Sequence, residues 1–352
     1  MNGKVPHFLA DLNRAALSLL IMKETNSKTI LLTGNTGFIG QIIQKSLENS
    51  GFHVIGISDR GDETPQQVRV DIRNANEIRK KLPNIEIPTI IHTAGIIDSD
   101  LPKKLMFDVN VLGTQNVLDW AKDHGCRHFI QLSSVSVYGY NLLGENRSEK
   151  THRCKYVGIN YSKSKAEAER RIEHSGIPYS NLRIPPVLGE NDTYITPTIV
   201  PRLIEGNLFF GSKKDRQYSL FYVKNIGGVI LKLIEHGPLN AAYNCVDYTV
   251  PWREYCGEYA KQLGLEMPLQ TKTIFSGFAN WNDKHYLLMI GYSGLGASYT
   301  DKKLKETIGW IPDFPWEDGV REAIESFMKA NPNYKKQYEC MRAEKIHGMG
   351  VE

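Results

Sequence analysis

Two short stretches of this 352-residue chain carry residue types at spacings that chemistry can use. The first is KTILLTGNTGFIG, Lys28 to Gly40. An apolar run stops at Thr33, glycines follow at Gly34, Gly37 and Gly40, and a helical spacing begins. A strand that ends in a glycine-rich turn and opens a helix aims backbone N–H groups and the positive helix end at an anion. In such a turn Gly34 allows the tight bend, Gly37 lets a pyrophosphate approach the backbone, and Gly40 lets helix and strand lie close. The phosphate path then runs over Gly34, Gly37, Phe38 and Ile39. The second stretch is YSKSK, Tyr161 to Lys165. Residues i and i+4 of a helix share a face, so Tyr161 and Lys165 can point into one site. A phenol of pKa about 10 is a poor base at neutral pH, and a nearby ammonium favours its ionised form. The pair alone decides little, because Tyr299 and Lys303 repeat it in YTDKK. Context separates them. Tyr161 follows QLSSVSVYG, Gln131 to Gly139, where a strand ends in serines, and open parallel sheets bind ligands at the carboxyl ends of their strands.

The elements that must position these residues are legible as an alternation. Strands are expected at Ile30–Thr33, His53–Ser58, Val68–Val70, Thr89–His92, Phe129–Leu132 and Tyr179–Leu182. Helices are expected at Gly37–Ser50, Asn74–Leu82, about Leu105 to His124, and Tyr161–His174. That order argues for an α/β fold, a parallel sheet covered on both faces. After Arg183 the texture changes. Prolines cluster at Pro185, Pro186, Pro197 and Pro201, and Gly206–Tyr222 and Trp252–Tyr299 read as a smaller, loop-rich lobe. The helical stretch at 223–236 is expected to pack back on the first lobe. The division is therefore 1–27 as an N-terminal amphipathic extension, 28–183 as a dinucleotide-binding domain, 184–330 as mainly a substrate-binding lobe, and 331–352 as a polar tail. In the extension, Phe8, Leu9, Leu12, Ala15, Ala16, Leu19 and Leu20 form one helical stripe. It is suited to packing on the body or on a second copy, as in a homodimer. Asp11, Asn13 and Arg14 interrupt any signal-peptide core.

Composition narrows the function classes. A net charge of +4 with scattered basic residues does not argue for nucleic acid. Five cysteines, an odd number with no CxxC spacing, argue against a disulfide scaffold or a zinc site and suit a reducing cytoplasm. No metal ligand set is expected. No run of 18 apolar residues exists, so no transmembrane helix is expected. The end of the second strand should hold the adenosine ribose. There Ser58 takes the tip, with Asp59 and Arg60 after it. An acidic residue would select NAD, whereas Ser58 and a guanidinium suit the 2′-phosphate of NADP. The reading leans to NADP.

Seven motifs in order make the chain resemble the extended short-chain dehydrogenase/reductases, in the NAD-dependent epimerase/dehydratase and 3β-hydroxysteroid-dehydrogenase-like group. They are TGNTGFIG, VDIRN (Val70 to Asn74), IIHTAG (Ile90 to Gly95), NVLGTQNVL (Asn110 to Leu118), LSSVSVYG (Leu132 to Gly139), YSKSK, and LRIPPVLG (Leu182 to Gly189). IGWIPDFPWEDGVREAI, Ile308 to Ile324, resembles the family's C-terminal end more weakly. The resemblance implies a Rossmann-type doubly wound parallel sheet and a smaller, irregular C-terminal substrate lobe. It implies Ser134 as the catalytic serine, with Ser133 second in rank, Tyr161 as acid/base, and Lys165 holding the nicotinamide ribose and lowering the phenol pKa. It also implies that Asp71 binds the adenine amine, that Ile72 flanks the ring, that Ala94 and Gly95 pass beside the cofactor, and that Asn110 lies near the active site.

Departures from the family narrow the reaction. The dehydratases carry an acidic pair beside the catalytic hydroxyl, where this chain has Ser134-Val135-Ser136. Many nucleotide-sugar epimerases carry an Asn where Pro186 stands, and an Arg where Tyr218 stands, with Arg216 two residues away. The resemblance therefore implies an NAD(P)-dependent enzyme interconverting a small-molecule secondary alcohol and a ketone. A nucleotide-sugar epimerase with tightly bound NAD is the alternative, and a non-catalytic dinucleotide-sensing module is a reading from another class. Tyr194, Phe209, Phe210, Phe221 and Tyr222 in the lobe would suit a less charged substrate. His92 reads as a satisfied core histidine, Trp252, Trp310 and Trp316 as packing, and Lys302, Lys303 and Lys305 as a solvated helix face.

Overall fold

The computed structural model describes residues 28–64, 66–98, 100–154, 159–268, 270–272 and 284–348. The N-terminal extension and the last four residues lie outside the described residues. The strands are β1 (Thr29–Thr33), β2 (His53–Ser58), β3 (Gln67–Arg69), β4 (Thr89–His92), β5 (His128–Ser134), β6 (Gly144–Arg147), β7 (Tyr179–Ile184), β8 (Val187–Leu188), β9 (Gln217–Tyr222), β10 (Ala241–Asn244), β11 (Tyr248–Pro251) and β12 (Ala297–Tyr299). The helices are α1 (Phe38–Asn49), α2 (Ala75–Lys81), α3 (Lys103–Phe107), α4 (Thr114–Asp123), α5 (Asn160–Glu173), α6 (Thr196–Ile204), α7 (Ile226–His236), α8 (Trp252–Leu263), α9 (Lys284–Leu295), α10 (Lys302–Ile308), α11 (Trp316–Ala330) and α12 (Pro332–Gly348). A π-helical stretch, Asp108–Gly113, joins α3 to α4.

Seven strands form one sheet in the order β10-β7-β5-β4-β1-β2-β3. Pairing is parallel between β1 and both β2 and β4, between β2 and β3, and between β4 and β5. This is the Rossmann-type sheet that the motifs implied. All five residues of β1 are buried, as expected of a strand covered on both faces. A second sheet follows the order β11-β9-β12-β6, with β8 paired to β9.

By contacts the chain forms two compact units. Among the described residues, unit 1 comprises 28–132 with Glu167–Asn181 and Leu233–Ala241. Its core gathers Leu31, Ile57, Ile90, Val117, Leu118 and Phe129. Helix α1 buries Gly40, Ile43 and Leu47, a three-to-four-residue spacing that makes one face. Helix α2 starts where the Asn74 side chain accepts from the N–H groups of Asn76 and Glu77, and ends on Arg79, Lys80 and Lys81, a charge order that suits the helix dipole.

Unit 2 comprises the described residues within Ser133–Ala166, Leu182–Lys232 and 242–348. Its main core is aromatic: Tyr218, Trp252, Tyr255, Tyr259 and Tyr292 pack with Phe209, Phe210 and Trp316. Helix α11 presents Trp316, Val320, Ala323, Ile324 and Phe327 to it. The stretch Trp252–Tyr299 is more regular than its sequence texture suggests, since it holds α8, α9 and β12. The segment expected to be a polar tail is helical to Gly348. Lys302, Lys303 and Lys305 are not all a solvated face. Lys303 lies 4.0 Å over the Tyr243 ring, and Lys305 bonds Asp301 at 2.5 Å and the Asp247 carbonyl at 3.2 Å.

Candidate active site

In unit 1 the turn after β1 has the strain and close contacts that demand glycine. Gly34 sits at φ +71°, and a Cβ there would lie 2.7 Å from the Ala94 nitrogen. A Cβ on Gly40 would lie 2.2 Å from the Gly34 carbonyl oxygen, so the start of α1 is pressed against the turn. Gly37 differs. Its backbone is extended at φ −78° and ψ 168°, and an added Cβ would meet only the Gly34 oxygen, at 3.2 Å. It precedes an uncapped helix N-terminus with no acidic residue in the first turn, made by Phe38 and Ile39. The exposed Gly37 and the uncapped positive end of α1 fit a pyrophosphate.

The tip of β2 is tied to this turn. Thr36 Oγ1 and Ser58 Oγ are 2.6 Å apart, and the Arg60 N–H donates to Ser58 Oγ at 3.2 Å. Ser58 is therefore buried and engaged. Asp59 and Arg60 project outward with side-chain exposures of 69% and 85%, loosely paired at 3.4 Å. Asp71 is gripped by Arg73, whose Nη2 donates at 2.6 Å and Nε at 3.0 Å. That grip holds the Asp71 carboxyl below its usual range. A carboxylate has about four lone-pair sites, so it keeps acceptor capacity. Ile72 packs on Gly113, where a Cβ would sit 2.6 Å from Ile72 Cδ1. An open depression of about 410 Å³ beside Asp71, lined by Arg73, Asn74, Asp108 and Leu112, includes none of the glycine-turn residues.

Ala94 donates its N–H to Thr33 Oγ1 at 3.1 Å, and Gly95 is exposed. Asn110 is buried in the π-helical stretch and clamps Ile96, accepting its N–H at 2.7 Å and donating to its carbonyl at 2.9 Å. His92 is fully buried, with ring nitrogens 2.7 Å from Thr33 Oγ1 and 3.0 Å from Thr114 Oγ1. It is a satisfied core histidine. Asn35 is a residue that the motif reading passed over. Its buried side chain lies across β2 at Gly56 and donates to Gln44 Oε1 at 2.9 Å and to Gln67 Oε1. A Cβ on Gly56 would meet Asn35 Nδ2 at 2.2 Å. A glycine inside the strand HVIGIS was the available signal, since it marks a close approach.

Unit 2 brings together Ser134, Tyr161 and Tyr194. Ser134 ends β5 with extended backbone, and its Oγ accepts the Ser136 N–H at 3.1 Å, which starts a 3-10 turn over Val135–Leu142. Ser133 beside it is buried. The Ser134 hydroxyl also hydrogen-bonds the Tyr161 phenol. Burial pushes that phenol up to about 12, the bond to Ser134 pulls it down, and the Tyr194 phenol raises it further. The phenol thus stands above its ordinary value in the protein alone, because desolvation outweighs the hydrogen bond. Lys165 follows one turn later on α5 and is buried. Of the five lobe aromatics, Phe209, Phe210, Phe221 and Tyr222 are buried in the core, whereas Tyr194 is 41% exposed.

A family model, the NAD dependent epimerase/dehydratase family, matches residues 30–245. The chain belongs to that family. This epimerase/dehydratase-family chain is 27% identical over 327 residues to a UDP-glucose 4-epimerase of Vibrio cholerae, covering 86% of this chain and 97% of the relative. It is 25% identical over 350 residues to the 3 beta-hydroxysteroid dehydrogenase type 7 of Mus musculus, covering 84% and 94%. Its fold is similar to that of the Bordetella bronchiseptica enzyme WbmH, solved in complex with NAD+, with a TM-score of 0.67, 20% identity, and coverage of 86% and 98%. Family membership makes it an NAD(H)-linked enzyme of the oxidoreductase and epimerase type. Among the described residues no helix is long and apolar enough to cross a membrane, and no cluster of three or more His, Cys, Asp or Glu could hold a metal.

Proposed function

We propose that the chain is an NAD(P)-dependent oxidoreductase that interconverts a secondary alcohol and a ketone through Ser134, Tyr161 and Lys165. One observation carries the reading: the Ser134 hydroxyl is bonded to the Tyr161 phenol, with Lys165 buried one helical turn on. Gly34, Gly37, Phe38, Ile39 and Gly40 would hold the pyrophosphate. Asp71 and Ile72 would hold the adenine, with Ala94, Gly95 and Asn110 along the rest of the dinucleotide. The bound nicotinamide supplies the acceptor or donor of hydride. Tyr161 Oη takes the proton of the substrate hydroxyl in oxidation and returns it to the ketone oxygen in reduction. With its phenol at about 12, Tyr161 rests protonated, ready as an acid. Its use as a base relies on positive charge from Lys165 and from the oxidised ring to favour the phenolate. Ser134 donates to the substrate oxygen and orients it. Arg60 is the residue that would admit a 2′-phosphate, while Asp59 would favour the free ribose of NAD. Five cysteines, none of them in a disulfide, suit a cytoplasmic site.

A second reading, nucleotide-sugar epimerisation, is favoured by the Vibrio relative. Against it stand Pro186 and Tyr218, at positions where such epimerases carry sugar- and diphosphate-holding groups. UDP-glucose isomerised without net NADH formation would put this reading first. Cofactor binding with no hydride transfer to any ketone or from any alcohol would instead mark a non-catalytic module. The proposal is tested by Tyr161→Phe. Turnover on a panel of secondary alcohols and ketones should fall by about 10²- to 10⁴-fold, with dinucleotide affinity by fluorescence titration kept. A variant that keeps turnover within about threefold removes Tyr161 from the acid/base role.

A further inference from the structure

The lobe presents one aromatic side chain outward beside Tyr161, and its surroundings specify it closely. Tyr194 sits on a turn that is fixed from several sides. Gly189 opens the turn at φ +143°, and Asn191 adopts φ +68°. The Asn191 N–H donates to Ser326 Oγ at 2.9 Å. Buried Asp192 then accepts four bonds. Its Oδ1 takes the N–H groups of Tyr194 at 2.7 Å and Ile195 at 3.2 Å, and its Oδ2 takes Thr196 N at 2.8 Å and Oγ1 at 2.7 Å. This turn caps α6 and leaves the Tyr194 backbone little freedom. The Tyr194 hydroxyl meets the buried Tyr292 hydroxyl at 3.1 Å. Behind them the Tyr218 ring lies 5.1 Å from that of Tyr292, and the fully buried Tyr218 hydroxyl has no partner among the described residues.

The local charge is equally specific. The Asp192 carboxylate, bonded to the Tyr194 N–H at 2.7 Å, acts on the Tyr194 phenol as an anion. Arg216, the arginine nearest in sequence to Tyr218, is committed elsewhere. Its Nε donates to the Gly294 carbonyl at 3.1 Å, and its guanidinium stands 3.8 Å from Glu145. A phosphate brought to these phenols would meet neutral hydroxyls with the buried Asp192 carboxylate bonded to the backbone of Tyr194, an unfavourable site for an anion, whereas a neutral hydroxyl or carbonyl can exchange hydrogen bonds with them.

We infer that Tyr194, backed by Tyr292, is the specificity-determining residue of the substrate site, reading an uncharged hydroxyl- or carbonyl-bearing substrate and rejecting anionic ones. The inference rests on the reading of Tyr161 as the acid/base, because it is the neighbourhood of Tyr161 that makes Tyr194 substrate-facing.

The test uses the full chain saturated with NAD+, with binding followed by thermal shift and turnover by NADH absorbance. Neutral probes are cyclohexanol, methyl β-D-glucoside and a 3β-hydroxysteroid. Anionic probes are UDP-glucose and glucose 6-phosphate. At least one neutral probe should bind and no anionic probe should. Tyr194→Phe should raise KM for that neutral probe about 3- to 10-fold, the worth of one neutral hydrogen bond, with kcat within about threefold. Tyr194→Arg should admit UDP-glucose, with affinity rising about 10-fold or more from a charge-assisted contact. UDP-glucose binding to the unaltered protein, silence from every neutral probe, or a Tyr194→Phe variant with unchanged KM would each overturn the inference. Loss of turnover in Tyr161→Phe alongside an unaffected Tyr194→Phe would sink Tyr194 and leave the oxidoreductase reading standing. Full turnover in Tyr161→Phe would sink that reading itself.

Discussion

The three glycines of the turn do different physical work, and substitution separates them. Gly37→Val should leave the fold nearly intact and abolish dinucleotide binding, whereas Gly40→Ala should damage the fold itself. The backbone of Gly37, at φ −78° and ψ 168°, suits any residue, so no strain enters. Its new Cβ would touch only the Gly34 oxygen, at 3.2 Å, which needs a shift of a few tenths of an ångström. A glycine N-cap replaced by an aliphatic residue costs up to about 1 kcal/mol, a shift in Tm of about 2–4 °C or less in a chain this long. The branched side chain then fills the space where a phosphate must reach the N–H groups at the start of α1, and affinity should fall by about 100-fold or more. At Gly40 the added Cβ would stand 2.2 Å from the Gly34 oxygen and 2.8 Å from Asn35 Cα. Both are backbone, so α1 must move off β1, at about 1–3 kcal/mol or more. Titration of NAD+ by intrinsic fluorescence, with thermal melts of both variants, checks the pair. The reasoning is refuted if Gly37→Val binds NAD+ within about threefold of the unaltered protein, or melts as low as Gly40→Ala.

Two further predictions rest on single side chains. Arg60→Ala should weaken NADP more than NAD by about 1.5–3 kcal/mol if the 85% exposed guanidinium holds a 2′-phosphate, and equal losses in the two calorimetric titrations would hand the ribose to Asp59. His128 is buried with Nε2 2.9 Å from Ser180 Oγ, and burial followed by the charge of His236 lowers its pKa from 6.5 to about 4. Between those values the unfolded chain binds a proton that the folded chain does not, so stability falls as pH drops from 6.5 towards 4. From pH 7 to 5 the loss should be about 2 kcal/mol, and His128→Asn should be free of it in denaturant titrations. Asp247, raised to about 7 by burial, acts in the opposite sense over an overlapping range, so the deciding quantity is the difference between parent and variant. Parallel pH profiles for the two proteins would refute the assignment.

What the sequence made legible follows from where its physics is local. Strand β2 falls on the expected residues, β4 likewise, and α1 lies one residue inside each expected end, because a β-branched run, a glycine turn and a three-to-four-residue apolar spacing are all written within one element. The expected helix from Leu105 to His124 is instead divided by the π-helical turn Asp108–Gly113, and Asn110 shows why. Its side chain is drawn to Ile96, 14 residues earlier, a partner that no helical periodicity announces. The regular elements of the lobe are hidden in the sequence for the same reason. Helix α8 has Tyr255, Cys256 and Tyr259 on its buried face, and β9 has Tyr218 and Leu220, but the aromatic core that holds them is assembled from segments as far apart as Leu188 and Met328. In the site, the glycine turn and the tyrosine–lysine spacing were visible, since both are short-range patterns. Invisible were the tie between Thr36 and Ser58, 22 residues apart, and the pairing of Tyr194 with Tyr292 across 98 residues. That last pairing distinguishes Tyr194 from the other lobe aromatics. Composition gave all five the same weight, whereas tertiary packing buried four and left the fifth exposed near Tyr161.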